Sequence, residues 1–190
     1  MVMRQITQFK WVPLAEANNI VYGAMQPAVR FTRDQCVDLP PTTYSTLDVP
    51  MSAAQATAYK SMMDELIIQH AKGDIVAANA GVKVSKLLQI AGGFAYGVDN
   101  TGVKTAVDYE CSARLTEVLN VVNASAGKVI VFSSFRYPIE RIRTYLHKHG
   151  ITTEAIHGGI NKPQRDKTFY KFTNTANPQV LVAHPRAMSH

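Results

Sequence analysis

The second half of the chain alternates short apolar runs with amphipathic stretches. The runs at 128–132 (KVIVF) and 179–183 (QVLVA) are rich in β-branched residues, and we predict a third strand at 152–156. The stretches at 111–122, 138–149 and 162–172 have the spacing of helices. Helices that alternate with short apolar strands are typical of a parallel sheet covered on both faces. The pattern in this half of the chain therefore predicts an α/β fold.

The first half is predicted to be mainly helical, with an extended connector. A short helix is expected at 13–25, and the Pro40-Pro41 pair ends regular structure. Residues 43–49 have the β-branched and aromatic content of a strand, and Ser52 is placed to cap a helix that continues to about residue 72. A second helix is predicted at 82–90, ending near residues 92–93, with a turn or hairpin between 95 and 107.

Composition indicates a globular domain with a polyanionic partner. The 190 residues are 46% hydrophobic and 18% charged, and no apolar run approaches the roughly 20 residues of a membrane span. Cys36 and Cys111 are too few for a disulfide framework or a zinc site, and His147 and His149 lack metal-ligand partners, so no metal is expected. The net charge of +6 favours nucleic acid if the basic residues share one surface.

The loops after the predicted strands carry the candidate chemistry. They begin at Ser133-Ser134-Phe135-Arg136, His157-Gly158-Gly159 and His184-Pro185-Arg186. Working loops of such sheets lie at the carboxyl ends of the strands, and hydroxyls, amides and cations suit phosphate oxygens. A nucleic-acid or nucleotide surface is therefore predicted at this edge.

Each of these residues also has a purely structural interpretation. Ser134 could cap the following helix while Arg136 is only solvated, and the glycine pair could be a simple turn. Arg165 is expected to pack against or pair with a neighbour such as Asp166 or Glu154 rather than to contact DNA. A further set of basic residues either extends the basic face or is ordinary solvated surface: Lys83, Lys86, Lys104 and Arg114. The Gly-rich run at 92–97 follows a helix rather than a strand, which excludes a dinucleotide-binding loop.

The same segments resemble Swi/Snf-type superfamily 2 DNA translocases of bacteria and phages. KVIVFSSF (128–135) is similar to the fourth helicase motif, and SARL (112–115) to the start of the helix before it. HGGINKPQRDKTFYKFTN (157–174) resembles the next conserved stretch, and QVLVAHPRAMSH (179–190) resembles the beginning of the fifth motif. MQPAVRFTRDQCVDLPP (25–41) and MSAAQATAYKSM (51–62) resemble the segment between the two lobes and the helix after it.

The resemblance implies a RecA-like second lobe, with a parallel sheet flanked by helices, that stops within the fifth motif. Residues 1–50 would be the inter-lobe connector with the end of the first lobe. Residues 51–108 would form a helical insertion, or protrusion, of the second lobe, and 109–190 the truncated RecA-like lobe itself. The parent protein would be cytoplasmic, in a bacterium or in the host of a phage.

The resemblance also implies a function. The parent would be an ATP-dependent motor on double-stranded DNA that binds ATP and Mg²⁺ between its two lobes, and this chain would contribute half of that cleft. Motifs I, II and VI are absent here, so the chain alone is expected to be inactive, to contain no catalytic residues and to bind neither ATP nor Mg²⁺. Its partners would be double-stranded DNA and the first helicase lobe. The predicted DNA-binding residues are Ser133, Ser134, Arg136, His157, Gly158, Gly159, His184, Arg186, Ser189 and His190.

Three alternatives remain open from the residues alone. The chain could be a stand-alone nucleic-acid-binding or regulatory module without motor activity. It could be a small-molecule enzyme of doubly wound type, although only His157 and His184 would serve its chemistry. The incomplete sheet could also leave an edge through which the chain associates with itself.

Overall fold

The computed structural model describes residues 2–29, 31–32, 36 and 42–188, which fall in two compact units, Met1–Thr46 and Leu47–His190. In the first unit, β1 (Met3–Thr7) and β2 (Lys10–Pro13) form an antiparallel hairpin, followed by α1 (Ala17–Ala24). The helix falls inside the predicted 13–25. The hairpin was not predicted, because β1 is exposed along its length and shows no apolar alternation. Residues 30, 33–35 and 37–41 of the expected connector lie outside the described part.

The second unit begins with an irregular segment and a capped helix. Residues 47–50 of this unit, like 42–46 at the end of the first, adopt no regular structure, so the strand expected at 43–49 is wrong: β-branched content does not supply a pairing partner. In α2 (Ala53–Glu65), Ser52 and Gln55 form a capping box, as the position of Ser52 predicted. The helix ends earlier than expected, because Leu66 takes a left-handed conformation with φ of 61°.

Two small hairpins and one helix follow α2. The strands β3 (Ile67–Ile68) and β4 (Ile75–Val76) pair antiparallel, and α3 (Ala80–Ala91) is capped by the Asn79 side chain. The hairpin expected between 95 and 107 is formed by β5 (Phe94–Val98) and β6 (Lys104–Asp108). A buried cluster joins these elements and includes Ala58, Met62, Ile75, Ile90 and Val107.

The rest of the chain forms the predicted α/β layer. In chain order its elements are α4 (Ser112–Ala124), β7 (Val129–Phe132), α5 (Arg136–Lys148), β8 (Thr153–Ile156), α6 (Lys162–Asn174), β9 (Val180–Ala183) and the short α7 (Pro185–Met188). The strands form a parallel sheet in the order β7-β9-β8, with Val180 opposite both Val129 and Thr153. The α/β prediction is confirmed, with strand boundaries within one residue of those expected.

The two faces of this sheet are covered unequally. Helices α4 and α5 pack on one face around Val180 and Val182, and α6 packs on the other around Leu181. All four residues of the central β9 are buried, as expected for a strand covered on both sides. At the edge strand β7, in contrast, Ile130 and Phe132 are 42% and 55% exposed. The prediction that helices cover both faces of the sheet is therefore confirmed at β9 and wrong at β7.

Candidate nucleic-acid interface

The three strand-end loops meet at the carboxyl edge of the parallel sheet. The amide of Ser133 donates to the carbonyl oxygen of Ala183 at 3.0 Å, and the amide of His184 donates to that of Ile156 at 2.8 Å. The imidazole Nε2 of His184 lies 3.1 Å from the carbonyl oxygen of Ser134. These contacts join segments about 25 to 50 residues apart, because β9 lies between the other two strands.

Arg136 projects from the first loop toward the second. It is exposed at the first position of α5, and its Nη1 atom lies 3.2 Å from the point that a Cβ atom on Gly159 would occupy. The residue that caps α5 is Phe135, without a side-chain hydrogen bond, so the interpretation of Ser134 as a helix cap is wrong. Ser134 is exposed, and the half-buried Ser133 hydroxyl donates to the Phe135 carbonyl at 3.5 Å.

His157 supports the second loop from beneath. Its side chain is 5% exposed, with Nε2 at 2.9 Å from Glu140 Oε1, and its Nδ1 accepts a hydrogen bond from the Gly159 amide at 3.1 Å. An amide can only donate, so a neutral ring carries its proton on Nε2 and donates it to Glu140. Both ring nitrogens are thus engaged inside the protein. The solvent-facing part of this loop is the backbone of Gly158 and Gly159, which are exposed.

The third loop uses its histidine in the same way. The Nδ1 atom of His184 accepts from the Arg186 amide at 3.2 Å, so a neutral ring donates from Nε2 to the carbonyl oxygen of Ser134. Arg186 is exposed on α7. Ser189 and His190 lie outside the described residues, and their place in the site stays a prediction.

Arg165 does not form the ion pair expected for it. Within the described residues, the ion pairs do not include Arg165, and its buried Nε atom has no hydrogen-bond partner. Pairing with Asp166 or Glu154 is therefore wrong, whereas the half-buried side chain agrees with the alternative that Arg165 packs against its neighbours. Neighbours in sequence diverge around a helix, so a carboxylate at the next position does not face the guanidinium.

Three of the four additional basic residues serve the fold. The side chains of Lys83, Lys86 and Arg114 donate to backbone carbonyl oxygens, those of Met63, Tyr96 and Ala91 respectively. Burial, followed by the nearby charge of Lys104, lowers the pKa of Lys86. These cations therefore satisfy carbonyl groups near the ends of elements rather than forming a free basic face.

Two residues of α5 that hold the site together escaped the sequence interpretation. Glu140 binds both His157 and, at 2.8 Å, Arg143, while Arg141 contacts the β5–β6 hairpin. Glu140 lies four residues after Arg136, and Arg141 four residues after Tyr137, the i,i+4 spacing that places side chains on one face of a helix. This spacing was the signal available in the sequence, but it does not reveal which segment the shared face of the helix contacts.

A parallel sheet flanked by helices, with glycine-containing and cationic loops gathered at its carboxyl edge, is the architecture of a RecA-like helicase lobe. Comparison with known proteins assigns the class. The helicase conserved C-terminal domain family matches residues 112–185, which span α4 to the start of α7. Residues 112–185 thus match the helicase conserved C-terminal domain, and the chain has a RecA-like fold similar to that of a SWI2/SNF2 ATPase C-terminal domain.

Similar solved structures come from Sulfolobus solfataricus. The SWI2/SNF2 ATPase C-terminal domain has a TM-score of 0.51 at 19% identity, over 72% of this chain and 60% of that one. The SWI2/SNF2 ATPase core in complex with double-stranded DNA has a TM-score of 0.55 at 18% identity, over 88% of this chain and 37% of that one.

Similar sequences include a phage protein and a fungal helicase. Protein p41 of Acyrthosiphon pisum secondary endosymbiont phage 1 is 27% identical over 154 residues, which are 80% of this chain and 30% of that protein. The ATP-dependent RNA helicase DBP2 of Mycosarcoma maydis is 27% identical over 81 residues, 43% of this chain and 14% of that one. The chain thus spans less than a third of the length of these relatives. In the part of the chain that the structure describes, no helix is long and apolar enough to cross a membrane.

Proposed function

We propose that this chain is the second-lobe portion of an ATP-dependent translocase on double-stranded DNA, and that its strand-end loops bind the phosphates of one strand. The observation that carries the proposal is the meeting of the three loops at one sheet edge, with exposed Arg136 beside Gly159. The similarity to a SWI2/SNF2 ATPase core in complex with double-stranded DNA supports this choice of partner.

Each part of the edge has a distinct role in the proposed contact. The guanidinium of Arg136 donates charge-assisted hydrogen bonds to a phosphate, and the backbone at Gly158 and Gly159 lets the strand approach closely. His157 and His184 hold the loops to each other from inside. Because these contacts go to phosphates and not to bases, binding is insensitive to DNA sequence and weakens with salt.

ATP and Mg²⁺ belong to the proposed parent and not to this chain alone. The sequence contains no G-x-x-x-x-G-K-[ST] loop, and the described residues include no group of three or more His, Cys, Asp or Glu side chains placed to hold a metal ion. The residues present therefore do not fit a complete nucleotide site. In this proposal the first helicase lobe supplies those groups, and the isolated chain hydrolyses no ATP.

The test is fluorescence anisotropy with a labelled duplex over a salt series. Arg136→Ala should weaken binding about tenfold and reduce the slope of log K against log salt by about one. Lys148→Ala is the matched control, because it removes one positive charge from the opposite end of the same helix. Equal weakening by the two variants would show general charge attraction instead of a phosphate site. An ATPase assay on the same samples should show no turnover.

Self-association is a second proposal, carried by the open sheet edge. Among the described residues, strand β7 pairs on one side only, and Ile130 and Phe132 leave apolar surface beside it. An unpaired edge of this kind is a template for pairing with a second copy. Sedimentation velocity should show a dimer that Phe132→Lys dissociates, and a monomer at all concentrations would contradict the proposal.

A further inference from the structure

One buried ring contacts both chain neighbours of Arg136. Phe94, at the start of β5, is fully buried. Its centroid lies 5.5 Å from that of Phe135 in an edge-on arrangement and 5.3 Å from that of Tyr137 in a stacked one. The residues immediately before and after Arg136 are thus held by the same side chain of the β5–β6 hairpin.

Polar contacts reinforce this attachment. The hydroxyl of Tyr137 donates to Asp108 Oδ2 at 2.5 Å, at the end of β6. Arg141, one turn further along α5, donates to the carbonyl oxygens of Gly93 and Tyr109 at 2.8 and 3.1 Å and to Asp108 Oδ1 at 3.2 Å. Both ends of the hairpin are therefore joined to the first two turns of α5.

The start of α5 has these contacts but, like the starts of α1 and α4, no side-chain cap. In α2, α3 and α6 the capping residue has a side-chain oxygen that accepts a hydrogen bond from a backbone amide; these residues are Ser52, Asn79 and Asn161. At α5 the capping residue is Phe135, without such a bond. A side-chain cap normally fixes where a helix begins. Here the ring contacts and the Asp108 hydrogen bond take over that role.

We propose that the β5–β6 hairpin positions Arg136 for DNA, with Tyr137 and Asp108 as positioning residues that act through Arg136 without touching the phosphates. The inference rests on the function proposed above. It links the part of the chain that precedes the α/β layer to the phosphate-binding edge. A displacement of the hairpin would then move Arg136 across Gly159 and change the affinity for DNA.

A double-mutant cycle measured by duplex DNA anisotropy at constant low salt tests this inference. Tyr137→Phe keeps the ring and removes only the hydroxyl, and should weaken binding about threefold to tenfold. In an Arg136→Ala background the same change should alter affinity by less than about 1.5-fold, since there is no guanidinium left to position. A purely structural loss would weaken binding equally in both backgrounds.

Two further variants control for folding and for hydroxyl loss. Tyr145→Phe removes a hydroxyl from the same helix, where it contacts Thr116 at 3.3 Å, and should leave DNA affinity unchanged. Asp108→Ala removes the oxygen that accepts the hydrogen bond from the Tyr137 hydroxyl, and should reproduce the effect of Tyr137→Phe if that variant folds poorly. Circular dichroism of each variant establishes that the helices are intact.

The outcomes separate this inference from the proposed function. If Arg136→Ala weakens binding while Tyr137→Phe and Asp108→Ala do not, the positioning role is overturned and the phosphate contact stands. If the losses from Arg136→Ala and Tyr137→Phe simply add, the hairpin acts on the fold and not through Arg136. If Arg136→Ala has no effect, the proposed contact fails and the positioning role fails with it.

Discussion

Gly93 joins α3 to β5 at a point where a side chain has neither the backbone conformation nor the space that it needs. Its φ is +87°, and a Cβ atom there would lie 2.6 Å from Cys111 Sγ and 2.7 Å from Cys111 Cβ. Gly93→Ala therefore incurs a conformational cost of about 1–2 kcal/mol and an overpacking cost of about 1–3 kcal/mol. We expect a total loss of about 2–5 kcal/mol, a large share of the roughly 5–15 kcal/mol that stabilises a domain.

Gly102 provides the matched control. Its φ is +82°, but no atom lies within 4 Å of its hypothetical Cβ, so Gly102→Ala should cost only the conformational part, about 1–2 kcal/mol. Urea unfolding followed by far-ultraviolet circular dichroism gives both losses. If the two variants lose the same free energy of unfolding to within about 0.5 kcal/mol, which is the usual error of such comparisons, the steric argument is refuted.

Three further predictions concern the fold. Burial, and then the hydrogen bond to Asp108, raise the pKa of Tyr137 from 10.0 to about 12, so the contribution of Tyr137 to stability is complete below pH 10 and is lost as pH rises toward 12. The thermal midpoint of Tyr137→Phe should therefore fall less than that of the wild type over that interval. Leu181→Ala should lower the free energy of unfolding, measured in urea, by about 2–5 kcal/mol, because Leu181 is fully buried. Ile130→Ala, at the paired position of β7 where the side chain is 42% exposed, should lower it by less than about 1.5 kcal/mol, and similar losses for the two variants would contradict the burial of β9. Hydrogen bonds from the Thr101 hydroxyl and the Val103 amide lower the pKa of Asp99, so its contribution to stability is present above its usual pKa of 3.8 and is lost as pH falls through the lowered pKa. Asp99→Ala should lower the thermal midpoint at pH 7, and the difference from wild type should shrink as pH falls below 3.8.

The architecture of the α/β layer could be predicted because its signals are local. The apolar β-branched runs at 128–132 and 179–183 and the helical spacing between them gave the elements of this half in order. Ser52 marked the start of α2 correctly, because a capping box is encoded within four consecutive residues. Where the local signal was misleading, as at 43–49, or absent, as in the hairpin β1–β2, the prediction failed or was missing.

The composition of the candidate site was readable from the sequence, while the roles of its members were not. Loops that follow parallel strands lie at the same edge of the sheet, and this rule predicted that Ser134, Arg136 and His184 would lie together. It could not show that His157 is buried between Glu140 and the Gly159 amide, or that the buried Nε atom of Arg165 has no hydrogen-bond partner among the described residues. Those facts depend on which helix faces which strand.

The sequence by itself determined the kind of elements, their order and the loops that carry phosphate-binding chemistry, because propensities, caps and periodicity act over a few residues. Only the tertiary structure decided that β9 lies between β7 and β8, that β7 is left open on one side, and that Phe94 holds the start of α5. These features come from packing between segments far apart in the chain. Their free energy depends on burial and shape complementarity, which no local pattern of residues records.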